Sequence, residues 1–232
     1  MKQLKLITAI LLLMTVSLVA RDTRQQERDS MVNRQLRNRG IECEATLEAM
    51  SVTPRHLFIP ENVRRRAYSD RPLPIGYGQT ISQPYIVAYM TEAIEPQAHH
   101  RVLEIGSGSG YQAAVLAEIV DQVYTIEIVP ELAQWSTDVV ERLNYDNVEV
   151  KHGDGFYGWE EHAPFDAIVV TAAAEHIPPP LIEQLKEGGK MIIPVGSPFV
   201  TQNLMLVEKI DDSIKTTSLM PVRFVPFTRE ED

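Results

Sequence analysis

The sequence predicts a doubly wound α/β fold: a Rossmann-like, mostly parallel sheet with an N-terminal helical segment and a C-terminal β-hairpin extension. Three observations carry this. First, the apolar run Val102 to Ile105 feeds into Gly106, Gly108 and Gly110 and then into the helix-forming stretch Tyr111 to Ile119. Strand, glycine turn and helix in that order form the first βα unit of a nucleotide-binding fold. Second, further strands read at 123–126, 148–152, 165–170 and 190–195, several of them almost wholly apolar and spaced by helical stretches. Such alternation implies a parallel sheet covered on both faces. Third, glycines or acids stand where these strands end, the edge at which open α/β sheets bind ligands.

Taken from the N-terminus, Lys2 and Lys5 precede an uncharged apolar run, Leu6 to Ala20, followed by polar Arg21-Asp22-Thr23-Arg24. A basic start, a core of this length and a small residue at Ala20 read as a secretory signal. The run is shorter than the ~20 residues of a membrane span, and no Cys at position 21 offers a lipid anchor. The expected address is the periplasm, with no stable membrane association after cleavage. The competing reading is a cytoplasmic chain starting at Met31. Residues 21–232 then form one domain: a helical lid and substrate loop over about 29–97, a cofactor-binding core over about 98–200, and C-terminal strands over about 201–232. Between Asp29 and Arg66 two or three short helices are expected, one from Met31 to about Arg39 stopping at Gly40, another from Ala45 to Met50, punctuated by Thr53-Pro54 and Ile59-Pro60. They should lid the cofactor cleft. Arg64-Arg65-Arg66 is either a solvated face or an attractor of acidic segments.

The core carries the chemistry. Its glycines are spaced G-x-G-x-G rather than the G-x-G-x-x-G of dinucleotide enzymes, and Glu104 sits one residue inside the strand end. Both details favour S-adenosylmethionine over a nicotinamide. Glycine is needed because the backbone turns tightly and lies against the cofactor with no Cβ between them. About 20 residues on, the strand Val123 to Ile126 ends at Glu127, where an acid accepts from ribose hydroxyls. The strand Val148 to His152 stops at Gly153-Asp154-Gly155, where Asp154 either reaches an adenine amino group or simply forms the turn. Phe165 to Val170 is a fourth strand, Leu181 to Leu185 a helix, Lys186 to Gly189 its stop, and Lys190 to Val195 a fifth strand. Glu104, Gly106, Ser107, Gly108, Gly110, Glu127, Asp154 and Gly155 are therefore the candidate cofactor-binding residues, in the layout of a class I methyltransferase.

Two outer segments narrow the reading. Leu73-Pro74-Ile75-Gly76-Tyr77-Gly78-Gln79-Thr80-Ile81-Ser82-Gln83-Pro84 precedes the glycine unit, and Pro221-Val222-Arg223-Phe224-Val225-Pro226-Phe227 follows the sheet. Together with Glu104 to Tyr111 and Ala163 to Ile168, they make the chain resemble the protein-L-isoaspartate O-methyltransferases from roughly Met31 to Phe227. The resemblance implies a repair enzyme that transfers methyl from S-adenosylmethionine to the free α-carboxylate of L-isoaspartyl residues in damaged proteins and peptides. The ester then re-forms a succinimide, and repeated cycles drain isoaspartate toward aspartate. A carboxylate is already anionic and the sulfonium is an activated donor, so placement and dryness should dominate over base catalysis. By the same resemblance Ser82 is the active-site serine, donating to one carboxylate oxygen, and Thr80 is a substrate-pocket wall. Ser82 also fits as the N-cap of a helix starting near Pro84. No G-x-S-x-G elbow surrounds it. Arg223 is a carboxylate partner or a solvated edge residue.

Composition bounds the rest. The chain has 232 residues and 44% hydrophobic content, enough for one full core. A net charge of −10 disfavours non-specific nucleic-acid binding. The lone Cys43 excludes an internal disulfide and reads as a buried or half-buried helix residue. His56, His99, His100, His152, His162 and His176 show no ligand spacing, so no metal is expected. The enzyme is expected to act as a monomer. A methyltransferase acting on a small molecule shares the cofactor half and is the alternative. A nicotinamide oxidoreductase is disfavoured by the glycine spacing. An inert binding module is disfavoured by intact Ser82, Glu127 and Asp154.

Overall fold

The computed structural model describes residues 24–197, 200–211 and 213–230. The apolar run at 6–20 lies outside them. Helix α1, residues 24–31, loosens into a π turn at Val32–Leu36 and a 3-10 turn at Arg37–Arg39. It stops at Gly40, whose φ of 91° suits glycine. The turn sequence buries Met31, Val32 and Leu36 against Met50, Phe58 and Tyr111. Helix α2 spans Glu44–Val52, with half-buried Cys43 as its N-cap rather than inside it. Strands β1 (Leu73–Gly76) and β2 (Gln79–Ile81) form an antiparallel hairpin. Its tip, Gly76-Tyr77-Gly78, is left-handed throughout, with φ of 97°, 52° and 72°. Helix α3 is Pro84–Ala93; proline at its first position has no N–H to lose there.

The main sheet contains β3 (Arg101–Ile105), β4 (Gln122–Glu127), β5 (Val148–His152), β6 (Phe165–Val170), β7 (Leu185–Val195), β8 (Gln202–Ile210) and β9 (Ser213–Val222). Their order is β5-β4-β3-β6-β7-β8-β9. The first five run parallel, and β8 and β9 add antiparallel to β7, the C-terminal hairpin extension. Neighbouring residues serve opposite faces. Val102, Val123 and Ala167 pack with Met90, Leu116 and Leu204, whereas Leu103, Tyr124 and Ile168 pack with Trp159, Leu181 and Met191. Both faces being covered is why these strands are apolar without alternation. Edge strand β5 is only partly buried, and it alone keeps an alternating sequence. Helices α4 (Tyr111–Ala117), α5 (Pro130–Arg142) and α6 (Pro179–Glu183) complete the layers. No helix among the described residues is long and apolar enough to cross a membrane.

Three expectations need correction. Helix α6 starts two residues before the expected Leu181, because Pro179 and Pro180 supply its first turn. The expected stop at Lys186–Gly189 is a bulge within β7: Phe165 pairs with Leu185 but Ala167 already with Lys190, and Gly188 turns with φ 76°. The helices of residues 24–66 do not cover the crevice at the strand ends. They pack against α3 and α4, and only Arg39 reaches a wall of the cavities described next.

Candidate functional site

Strand order reverses between β3 and β6, so the loops leaving these two strands diverge and open a crevice at their C-terminal ends. The first cavity, about 550 Å³ of unfilled space, is walled by Gly106, Gly108, Glu127, Gly155 and Thr171, with Val225 to Thr228 as its roof. Backbone forms much of this wall, and side chains are sterically excluded. A Cβ on Gly106, where φ is 96°, would stand 2.5 Å from Thr171 Oγ1, and one on Gly155 would stand 2.3 Å from Ile105 Cγ2. Gly108, with φ 50°, faces Ile75 of the hairpin. Two expected members turn elsewhere. Gly110 lies against Ser136 and Val140 of α5, where a Cβ would meet both at 3.4 Å. The Ser107 hydroxyl pairs with Ser136 Oγ at 3.0 Å, and the residue walls a smaller neighbouring cavity beside Glu104 and Gly106.

The three acids differ in what they have free. Glu127 closes β4 and holds the glycine turn: Oε2 accepts from Gly108 N–H at 2.8 Å and Oε1 from Val129 N–H at 2.9 Å. One lone pair on each oxygen remains for a hydroxyl donor. Asp154 is more fully committed than expected. Its Oδ1 accepts from Phe156 N–H at 2.9 Å, capping a short turn, and its Oδ2 from Arg229 Nε at 2.7 Å. Both the turn role and a further acceptor role are thus compatible with its geometry. Glu104 is wholly buried; Oε2 accepts from Thr125 Oγ1 at 2.5 Å, and Oε1 has no hydrogen-bond partner. Burial pushes its pKa up to about 8, against the opposing Thr125 bond. A bare carboxylate oxygen beside a backbone-lined cavity fits a ligand bearing positive charge, as the sulfonium and ammonium of S-adenosylmethionine do.

A second cavity, about 1000 Å³ of unfilled space, opens beside the first, walled by Thr80, Ser82, Tyr85, Thr171, Arg223 and Phe224 among others. Thr80 and Thr171 wall both cavities. Ser82 lies between β2 and α3, one residue before the N-cap Gln83, and that cap makes no side-chain bond. The capping role weighed for Ser82 is therefore not used. Its carbonyl accepts from Arg55 Nη2 at 2.7 Å, while its half-buried hydroxyl bonds to nothing among the described residues. Arg223 is exposed on the rim without a partner among the described residues. Arg39, on the same rim, lies 3.6 Å over the Tyr85 ring and pairs with Asp70.

The structure brings together Thr80, Ser82, Glu104, Gly106, Gly108, Glu127 and Gly155, with Asp154 next to the cavity rather than in its wall. Sequence reasoning missed Thr171, Arg55, Arg229 and the roof. Thr171 had a signal, a lone hydroxyl closing an apolar strand. Its Oγ1 donates back to the glycine turn, 2.9 Å from Ile105 O and 2.7 Å from Gly106 O.

The geometry is matched by comparison with known proteins. The family described as protein-L-isoaspartate(D-aspartate) O-methyltransferase matches residues 26–232. A protein-L-isoaspartate O-methyltransferase of Opitutus terrae is 56% identical over 229 residues, 99% of this chain and 98% of its own. One of Gloeobacter violaceus is 56% identical over 201 residues, 87% and 98% of the two chains. Among solved structures, a protein-L-isoaspartate O-methyltransferase superposes with a TM-score of 0.80 at 30% identity, covering 86% of this chain and 65% of that longer one. A Plasmodium falciparum chain described as a protein-L-isoaspartate O-methyltransferase, solved with S-adenosyl-L-homocysteine, gives 0.75 at 28% identity, covering 88% and 99%.

Proposed function

This chain belongs to the protein-L-isoaspartate(D-aspartate) O-methyltransferase family and methylates the free α-carboxylate of L-isoaspartyl residues in damaged proteins, and we propose that it does so where its two cavities meet, with Ser82 holding the carboxylate. One observation carries the placement: Thr80 and Thr171 belong to both cavities, and the hydroxyl of Ser82 at the same seam has no bond among the described residues.

S-adenosylmethionine, the cofactor of this family, supplies a methyl group activated by its sulfonium. Gly106, Gly108 and Gly155 let it lie on bare backbone. The free lone pairs of Glu127 take ribose hydroxyls, Glu104 Oε1 answers its positive charge, and Asp154 takes the adenine amino group beside the Arg229 bond. Ser82 O–H donates to one oxygen of the substrate carboxylate and leaves the other directed at the methyl carbon. No base is required, because the carboxylate arrives ionised and gives up no proton. Roof residues 225–228 and the β1–β2 hairpin keep water from the seam, which shortens the search for an in-line arrangement and strengthens the Ser82 bond. The basic start and apolar run at residues 2–20 support export to the periplasm.

The test is methyl transfer from labelled S-adenosylmethionine to an isoaspartyl peptide beside its aspartyl twin, in wild type and Ser82→Ala. Loss of a charge-assisted hydrogen bond of ~1.5–3 kcal/mol should lower turnover roughly ten- to a hundred-fold. S-adenosylhomocysteine affinity should stay unchanged. Near-normal kcat/KM in Ser82→Ala would remove the serine from the site.

A further inference from the structure

We infer that Arg55 is the positioning residue that sets Ser82 for methyl transfer, an assignment that rests on the role of Ser82 proposed above. Arg55 is wholly buried at the start of a 3-10 turn, Arg55–Leu57. Its Nε donates to Ala67 O at 2.8 Å and its Nη2 to Ser82 O at 2.7 Å. The guanidinium carbon lies 4.9 Å from the ring centre of Tyr111, the first residue of α4 after the glycine turn. Nη1 is buried with no hydrogen-bond partner among the described residues. Among the described residues this group forms no ion pair: its partners are two carbonyls and a ring.

That set of partners is costly if stability is its only purpose. A buried cation without a carboxylate pays desolvation that an apolar side chain of similar size avoids. Burial pushes the Arg55 pKa down to about 10, so the cation persists at neutral pH. What the arginine supplies that an apolar residue lacks is a planar fork reaching two carbonyls 15 residues apart in the chain, at Ala67 and Ser82. Ser82 needs such an anchor. It sits in a two-residue connection before Pro84, which has no N–H, and its hydroxyl is unbound. Arg55 walls none of the cavities that hold Ser82, so it acts through that residue and not on substrate. Because the same guanidinium rests on Tyr111, the serine is located relative to the glycine turn. Carboxylate and methyl donor are thereby held in one frame, and in-line transfer is sensitive to displacements on the order of 1 Å.

The experiment compares wild type, Arg55→Lys, Arg55→Met, Ser82→Ala and the Arg55→Lys/Ser82→Ala double variant. It reads kcat and KM on an isoaspartyl peptide, S-adenosylhomocysteine affinity by calorimetry, and Tm. Arg55→Lys should lower kcat at least roughly ten-fold, the worth of one charged hydrogen bond, with cofactor-product affinity within about three-fold. In the Ser82→Ala background the same substitution should cost nothing further, since the hydroxyl it positions is gone. An equal loss in both backgrounds with Ser82→Ala itself impaired overturns this inference and spares the serine. Near-normal turnover in Ser82→Ala overturns the serine and this inference with it. Normal turnover in Arg55→Lys, or loss of the folded state in both Arg55→Lys and Arg55→Met, leaves Arg55 a residue of the fold alone.

Discussion

Glu104 is an acid placed where its charge is unwelcome until a cation arrives. Its pKa of about 8 stands above the ordinary 4.5, with burial as the largest cause. In the folded chain the protonated form is therefore favoured. The stability this confers is complete below about pH 4.5 and is lost as pH rises through 8, a change on the order of a few kcal/mol. Glu104→Gln is neutral at every pH and should escape the loss. Its Tm relative to wild type should climb between pH 5 and pH 9 in ligand-free protein, and parallel pH curves for the two proteins would contradict the burial of an uncompensated acid. A cationic ligand reverses the preference, drawing the carboxyl toward its ionised form. Binding of S-adenosylmethionine at pH 7 should then release a proton, visible in calorimetry as a binding enthalpy that differs between phosphate and Tris. Glu104 was readable as a candidate because an acid one residue inside a strand end is conspicuous. Its missing partner was not, since that depends on which side chains fill the space around it.

The C-terminal segment is the element least visible in the sequence. Residues 223–230 show no strand or helix period, and the chain is held by isolated bonds: Phe224 N–H to Gln202 Oε1 at 3.0 Å, Ala173 N–H to Val225 O at 2.8 Å and Phe227 N–H to Ala173 O at 2.9 Å. From there it roofs the first cavity and ends on Asp154, with the Arg229 guanidinium 3.7 Å over the Phe156 ring. The segment thus spans from the end of β6 to the turn after β5, on opposite sides of the crevice. Arg229 is exposed although the Asp154 side chain is only 5% exposed, and Asp154 keeps its bond from Phe156 N–H without the arginine. A pair with one partner in solvent contributes on the order of 1 kcal/mol, so Arg229→Ala should lower Tm only slightly. Its effect belongs to closure. Without the latch, S-adenosylhomocysteine should dissociate several-fold faster in stopped-flow displacement, while association changes little. An unchanged dissociation rate would make the roof a fixture rather than a closure. Strands β3, β4 and β6 stand at the other extreme: burial on both faces wrote them into the sequence as apolar runs, and the glycine turn followed from them. Contacts such as Arg55 to Ser82 or Arg229 to Asp154, 27 and 75 residues apart, leave no local period to read.

At the scale of the whole molecule the open question is where the working chain begins, and the fold offers a physical criterion. Deleting residues 1–20 removes Lys2 and Lys5 and no acid, taking the net charge from −10 to −12. Starting at Met31 is different, because residues 24–30 are seven of the eight residues of α1. Arg28 Nε donates to Ser51 O at 2.8 Å and Nη1 to Tyr68 Oη at 3.3 Å, while Gln25 Nε2 donates to Ser51 O at 3.3 Å. Tyr68 in turn bonds His56 Nδ1 at 2.6 Å, next to Arg55. Losing the Arg28 bonds alone should cost ~1.5–3 kcal/mol, or roughly 3–12 °C in Tm for a chain of this size. Thermal denaturation of the two truncations should therefore show the 21–232 protein melting with full length and the 31–232 protein melting well below it. Equal Tm values for all three would mean that residues 21–30 add nothing to the fold, and a start at Met31 would carry no penalty. The export reading makes the matching prediction in the cell. N-terminal sequencing of the native protein from a fractionated cell should find it in the periplasm beginning near Arg21, whereas a cytosolic chain beginning at Met31 would end the export proposal and leave the chemistry at Ser82 as it stands.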